Sequence, residues 1–212
     1  MSLSVKKFSI ELPKNGGTSW ALLGSSRSGK TTLLKHLYKH YFDDMITVMC
    51  SMNPHADIYK DLSKKVLVSN VYNPQMIEDM HKINSAHDNK FPFLFISDDY
   101  VDNKIKNDRT ITKCLTIYRN AGIHSIFSFQ GNTLMSSVGR NSTNYVCIFK
   151  QQTPKAWKNI IEEFLSMHLP LGMTMPEMIK FCMEATEAHQ FFMIDNILGE
   201  CYLTKLSKAQ IA

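Results

Sequence analysis

The chain has 212 residues, of which 44% are hydrophobic and 20% charged, with a formal net charge of +5. That length suits one domain with a sizeable core, and the composition excludes disordered and fibrous classes. No apolar run approaches the roughly 20 residues that span a bilayer, and no apolar stretch follows the lysines near Met1, so neither a membrane span nor a signal peptide is expected.

Apolar runs alternate with helical patterns along the chain, which is the mark of an α/β protein. Phe8–Leu12 alternates like a strand, and the stretch from Pro13 to Gly17 reads as a turn. Ser19–Leu23 is a short buried strand. From Lys30 to Tyr41, Leu33, Leu34, Leu37, Tyr38 and Tyr41 recur at helical spacing. Met45–Cys50 and Lys65–Ser69 are further strands, and Asn73-Pro74 opens a helix to about Ser85. Phe91–Ser97 is a strongly apolar strand that runs into Asp98 and Asp99. Asp108–Asn120 is helical, Ile123–Phe129 and Tyr145–Lys150 are strands, and helices follow from Pro154 to Met167 and from Thr174. Thr174 and Glu177 form a capping box with proline in the first turn. Phe191–Leu203 reads as a hairpin around Asp195–Glu200. No repeat, linker or low-complexity segment interrupts the pattern, so residues 1–212 are expected to form a single domain.

Two residue types carry little chemistry. The five cysteines (Cys50, Cys114, Cys147, Cys182 and Cys201) include no CxxC pair and read as buried thiols of a reducing, cytosol-like compartment. His36 and His40 have metal-compatible spacing but no third ligand, and read as surface residues. The mild positive charge is compatible with a polyanionic partner without demanding one.

The segment Gly24, Ser25, Ser26, Arg27, Ser28, Gly29, Lys30, Thr31 has the GxxxxGK[ST] spacing, with Thr32 just beyond it. A strand precedes it and a helix follows. Its glycines let successive backbone N–H groups face a polyphosphate, and the helix N-terminus adds positive partial charge. Lys30 is then expected at the β- and γ-phosphates of a nucleoside triphosphate and the Thr31 hydroxyl on Mg²⁺. Ser25, Ser26 and Arg27 read as loop residues, with Arg27 able to touch phosphate or a neighbour. Asp98, at the end of a buried strand, suits Mg²⁺ held through water. Asp99 beside it suits polarisation of the attacking water, and the two aspartates could exchange these jobs. Gln130, at the tip of the strand from Ile123, can contact both γ-phosphate and that water.

Tyr118 to Gln130, Gly139 to Asn144 and Ile148 to Lys150 follow these motifs in an order that resembles the FtsK–HerA superfamily of pumping ATPases. Within it, the likeness is greatest to the genome-packaging ATPases of poxviruses, other large DNA viruses, virophages and membrane-containing icosahedral viruses. It covers about residues 22–150. The resemblance implies a three-layer P-loop NTPase (RecA/ASCE-like) with a mainly parallel central sheet flanked by helices. The core would lie at about residues 19–150, with C-terminal helices and a hairpin at about 151–205. It also implies Lys30 and Thr31 for phosphate and Mg²⁺ (Walker A), Asp98 for the metal and Asp99 for water activation (Walker B), and Gln130 as sensor. Many relatives have glutamate where Asp99 stands; the aspartate pair follows the viral branch. The family takes an arginine from one subunit to its neighbour's γ-phosphate, for which Arg140, in a polar loop, and Arg119 are both candidates.

The function implied is ATP-driven translocation of double-stranded DNA into a preformed viral capsid. It would be carried out by a homo-oligomeric ring, pentameric or hexameric, at the capsid or portal vertex, in the host cytoplasm or the virion. DNA contact is expected mostly through phosphates, with residues 103–106 and Arg109 as a candidate basic loop. A small-molecule kinase is one alternative, although no arginine follows Thr153 to furnish an arginine-rich lid. A GTPase would need an Asn-Lys-x-Asp base-reading sequence, which is missing. A non-catalytic nucleotide-binding assembly subunit is the other alternative; the full set Lys30, Asp98, Asp99 and Gln130 speaks against a dead site.

Overall fold

Ser19–Leu23 (β2), Ile123–Phe129 (β6) and Tyr145–Ile148 (β7) are buried at every position. Strands without a solvent face need cover on both sides, the arrangement that parallel sheets between helical layers supply. A computed structural model describes residues 3–55, 59, 62, 65–99, 108–130 and 135–211 and has this arrangement. Besides those three strands it contains β1 (Ser4–Val5), β3 (Ile46–Ser51), β4 (Val66–Ser69), β5 (Phe93–Asp98), β8 (Phe191–Asp195) and β9 (Glu200–Thr204). Among the described residues the strands form one nine-stranded sheet in the order β1-β9-β8-β7-β2-β6-β5-β3-β4. The run from β7 to β4 is parallel throughout, whereas β8 pairs antiparallel with both β7 and β9. The fold is therefore the mainly parallel P-loop sheet with an antiparallel C-terminal hairpin.

The two-residue period of a strand sorts side chains into two cores. Ala21 and Leu23 face a layer made by α2 (Pro74–Ala86), α3 (Arg109–Thr116), α5 (Pro154–Ile160) and α6 (Met175–Ala185). Trp20 and Leu22 face the opposite layer, where α1 (Lys30–Leu37) contributes Leu33, Leu34 and Leu37. Helix starts follow their capping chemistry. Asn73 accepts from the Gln75 N–H, Asp108 from the Thr110 and Ile111 N–H groups, and Thr153 from the Ala156 N–H. At Thr174, the Glu177 carboxylate accepts from both the backbone N–H and the hydroxyl, closing the expected box.

Several expectations need correction. Phe8–Leu12 joins no ladder; of this N-terminal stretch only Ser4 and Val5 pair, with β9. Its alternation reflects packing on the core: Phe8, 1% exposed, sits against His36 and Phe191, and the half-buried Ile10 and Leu12 pack on the same cluster. His36 is not a surface residue: it is buried, and its Nδ1–H donates to the Gln210 carbonyl at 3.0 Å. No cluster of three or more metal-ligating side chains occurs among the described residues. The polar stretch around Arg140 is a short helix, α4 (Ser137–Ser142), capped by the Ser136 hydroxyl. Cys50, Cys114, Cys147 and Cys182 are buried and Cys201 partly so, all of them free thiols as expected. No helix among the described residues is long and apolar enough to cross a membrane.

Candidate active site

The phosphate loop leaves the sheet between two strand exits. The Gly24 N–H donates to the Phe129 carbonyl at 3.1 Å, and the Ser25 N–H and hydroxyl both donate to the Lys150 carbonyl at 3.0 and 2.9 Å. A Cβ at Gly24 would stand 2.6 Å from the Phe149 Cβ and 2.7 Å from the Ser28 Oγ, so only glycine fits this turn. Arg27 (φ 62°) and Gly29 (φ 109°) take left-handed conformations, which curl the main chain around a concave nest of N–H groups. Gly29 is also the N-cap of α1, aiming that helix's positive end into the nest.

Lys30 is 3% exposed. Its Nζ donates to the Gly24 and Ser25 carbonyls at 2.9 and 3.0 Å, and lies 3.4 Å from Asp99 Oδ1. Three partners match the three protons of an ammonium group, so the charge is held at the loop despite burial. Asp98 closes β5 and is 2% exposed. The Tyr59 hydroxyl donates to its Oδ2 at 2.7 Å, and the Thr31 Oγ1 lies 3.5 Å from its Oδ1. Burial raises the Asp98 pKa, and the Asp99 charge adds to the rise; hydrogen bonds from Tyr59, Ser128 and Thr31 oppose it. Tyr59 is further tied to the Ser51 Oγ at 3.1 Å. Its own pKa is raised by burial first and the Asp98 charge second.

Asp99 steps out of the strand with φ 46°, a region that residues other than glycine seldom occupy. The bend turns its carboxylate away from Asp98 and towards Lys30, with the Ser128 hydroxyl donating to Oδ1 at 3.3 Å. Strain of this kind concentrates where a side chain has to be aimed. Gln130 follows β6 at the same sheet edge, two residues beyond the Ser128 that is in register with Asp98, and is exposed.

The structure thus gathers Gly24 to Thr32, Asp98, Asp99 and Gln130 at the carboxyl edge of the parallel strands. The two arginines lie elsewhere. Arg119 sits in the 3₁₀ turn Tyr118–Ala121 that leads into β6, at the opposite edge, with Nη1 donating to the Ser142 carbonyl at 2.8 Å. Arg140, on α4, pairs through Nε with Glu163 Oε2 at 2.9 Å and donates through Nη1 to the Met135 carbonyl at 2.8 Å. Residues 103–106 lie outside the described residues; Arg109 is exposed on the first turn of α3.

Tyr59, Ser51 and Ser128 are site residues that the sequence reading does not single out. Tyr59 falls in a stretch without periodicity. Ser51, however, ends β3 in parallel register with Asp98, and Ser128, last but one in β6, shares that register, so their positions near the strand ends were a usable signal. The cradle also opens into a cleft of about 780 Å³ that continues past Phe149 to His189 and the C-terminal segment.

The donor set suits Mg²⁺: a hydroxyl and a carboxylate are hard oxygen ligands, and this ion keeps few protein ligands beside phosphate oxygens and water. The glycine-lined cradle and buried Lys30 suit a polyphosphate.

No protein-family profile and no curated protein sequence matches the chain. Solved structures do. The genome packaging NTPase B204 from Sulfolobus turreted icosahedral virus 2, in complex with AMP, superposes with a TM-score of 0.62 at 18% identity, covering 91% of this chain and 99% of that chain. The pCW3 conjugation coupling protein TcpA, with ATPγS, gives 0.61 at 14% identity over 88% of this chain and 59% of that one. The cytoplasmic domain of the type VII secretion ATPase EccC from Thermomonospora curvata gives 0.56 at 9% identity, covering 91% and 26%. By fold the chain is similar to these proteins, in agreement with the P-loop architecture that its motifs imply.

Proposed function

We propose that the chain is an Mg²⁺-dependent ATPase whose turnover drives double-stranded DNA into a preformed viral capsid. The observation that carries the hydrolytic part is the convergence of Lys30, Thr31, Asp98 and a strained Asp99 at one sheet edge, with Lys30 Nζ 3.4 Å from Asp99 Oδ1. Support for packaging is the superposition on B204, which covers 91% of this chain and 99% of that chain.

In this reading the nest between Gly24 and Gly29 and the N-terminus of α1 cradle the phosphates. Lys30 neutralises β- and γ-oxygens. Thr31, and Asp98 through water, would hold Mg²⁺, which when bound offsets the charge that grows on those oxygens. Asp99 accepts a proton from water as its oxygen attacks the γ-phosphorus. The bond to the β–γ bridging oxygen breaks, and ADP and phosphate leave. Gln130, exposed at the next strand tip, orients that water and senses the γ-phosphate. Arg140 or Arg119 acts on a neighbouring subunit in a homo-oligomeric ring, since each is engaged away from its own cradle. Basic residues, those at 103–106 and Arg109 among them, follow the DNA backbone without reading sequence.

The test is ATP hydrolysis with and without double-stranded DNA. The expected result is DNA-stimulated turnover that Lys30→Ala abolishes. Transfer of phosphate to a small acceptor in place of water would overturn the proposal in favour of a kinase. Tight nucleotide binding with no turnover would overturn it in favour of an assembly subunit.

A further inference from the structure

The cleft is longer than a phosphate chain requires. Beyond the cradle its walls are Phe149 and His189 on one side and the tail residues Leu206 to Lys208 and Ile211 on the other. Volumes of about 300–1,000 Å³ with mostly apolar walls and a few polar groups are those of small-molecule sites.

Both walls are built deliberately. Ala188 and His189 are consecutive left-handed residues (φ 52° and 60°), a conformation L-residues avoid, and the resulting turn delivers the exposed His189 to the phosphate loop. Its Nδ1 lies 3.8 Å from the place a Cβ would take at Gly29. The tail is clamped by one residue. Gln210 Oε1 accepts from the Ser207 N–H and hydroxyl, both at 3.0 Å, while its Nε2 donates to the Phe8 carbonyl at 3.2 Å and its own carbonyl accepts from His36. These bonds hold the short helix α7 (Lys208–Ile211) against α1, leaving Ile211 57% exposed at the cleft.

We propose that this end of the cleft binds the nucleoside of the triphosphate, with the His189 ring and the Leu206 and Ile211 side chains as the surface for base and ribose. The proposal rests on the reading of Gly24–Thr31 as the phosphate site. It gives a ligand to an exposed imidazole, to an exposed isoleucine and to a strained turn, each of which lines the same space. Contact through ring faces and methyl groups grips any base, so the subsite contributes affinity for nucleoside more than choice among bases.

The experiment separates the two halves of the ligand by titrating the full chain with ADP and with inorganic tripolyphosphate, which fills the cradle but has no nucleoside. His189→Ala and Ile211→Asp should each weaken ADP binding about tenfold, the size of a lost base contact, and leave tripolyphosphate within about twofold. Gln210→Ala, which frees the tail, should show the same split. Unchanged ADP binding in all three variants overturns the proposal. So does equal weakening of both probes, which would make these residues supports of the cradle. Lys30→Ala should weaken both probes; if tripolyphosphate binding survives in that variant, the phosphate-site reading itself fails.

Discussion

Replacing Asp99 by asparagine tests the chemistry with little disturbance of the fold. The amide keeps the shape and still accepts from Ser128, but it cannot take a proton. Lys30 loses the opposite charge at position 99 but retains the Gly24 and Ser25 carbonyls, so the cradle should keep its form. Asp99 is 35% exposed, and an ion pair open to solvent to that degree contributes at most about 1 kcal/mol to stability. For a chain of this size such a change lowers the melting temperature by less than about 4 °C. Loss of the general base removes about 10²- to 10⁴-fold of turnover, or about 3 to 5 kcal/mol of transition-state stabilisation. The expectation is therefore a split: nucleotide affinity within about threefold of wild type by calorimetry, and kcat down by at least about a hundredfold in a phosphate-release assay. If kcat stayed within about threefold of wild type, Asp99 would not be the base.

Three further outcomes follow from particular contacts. Tyr59→Phe removes the 2.7 Å bond that orients Asp98, so the Mg²⁺ concentration at half-maximal turnover should rise about tenfold or more while kcat at saturating Mg²⁺ stays near wild type; an unchanged Mg²⁺ titration would show Tyr59 to be packing alone. Arg140→Ala should bind nucleotide normally and turn over poorly, and mixing it with Lys30→Ala subunits should restore part of the activity; normal turnover of Arg140→Ala would remove it as the residue acting between subunits. His124 is buried with Nδ1 accepting from the Thr18 N–H at 3.1 Å, and burial lowers its pKa from 6.5 to about 4. Below pH 6.5 the unfolded chain takes up a proton that the folded chain refuses, so stability present above that pH is lost as pH falls towards 4, by about 3 kcal/mol in all. In His124→Gln, whose carbonyl can accept the same bond, urea midpoints should fall less steeply across this window, and equal slopes would refute the assignment.

Most of the sheet was legible because its strands are buried on both faces, which leaves apolar runs such as Phe93–Ile96 and Ile123–Phe129 that local pattern alone exposes. The cradle was legible for a different reason: backbone geometry demands Gly24 and Gly29, and the helix must begin where Lys30 stands. What escaped depends on contacts distant in sequence. Phe8–Leu12 alternates because Phe8, Ile10 and Leu12 pack on the core, not because it joins a ladder. Ser137–Ser142 has too few apolar residues to announce a helix, and its start is set by the Ser136 hydroxyl. His36 looked solvated beside Lys35 and Lys39, and is buried because a carbonyl 174 positions away comes down onto it. Tyr59 reaches Asp98 across 39 positions from a stretch with no pattern of its own.

Main-chain bonds from Gly24 and Ser25 to the exits of β6 and β7 lace the phosphate loop to the sheet, and they make no use of side chains at Ser26 or Arg27. Such a loop is free to drift in sequence at those positions over evolutionary time while keeping its shape. The drift has a direction. Arg27 occupies a left-handed conformation that glycine or asparagine adopts more readily, so diverged copies of this gene should exchange Arg27 for those residues far more often than they alter Gly24, where even one added carbon meets Phe149.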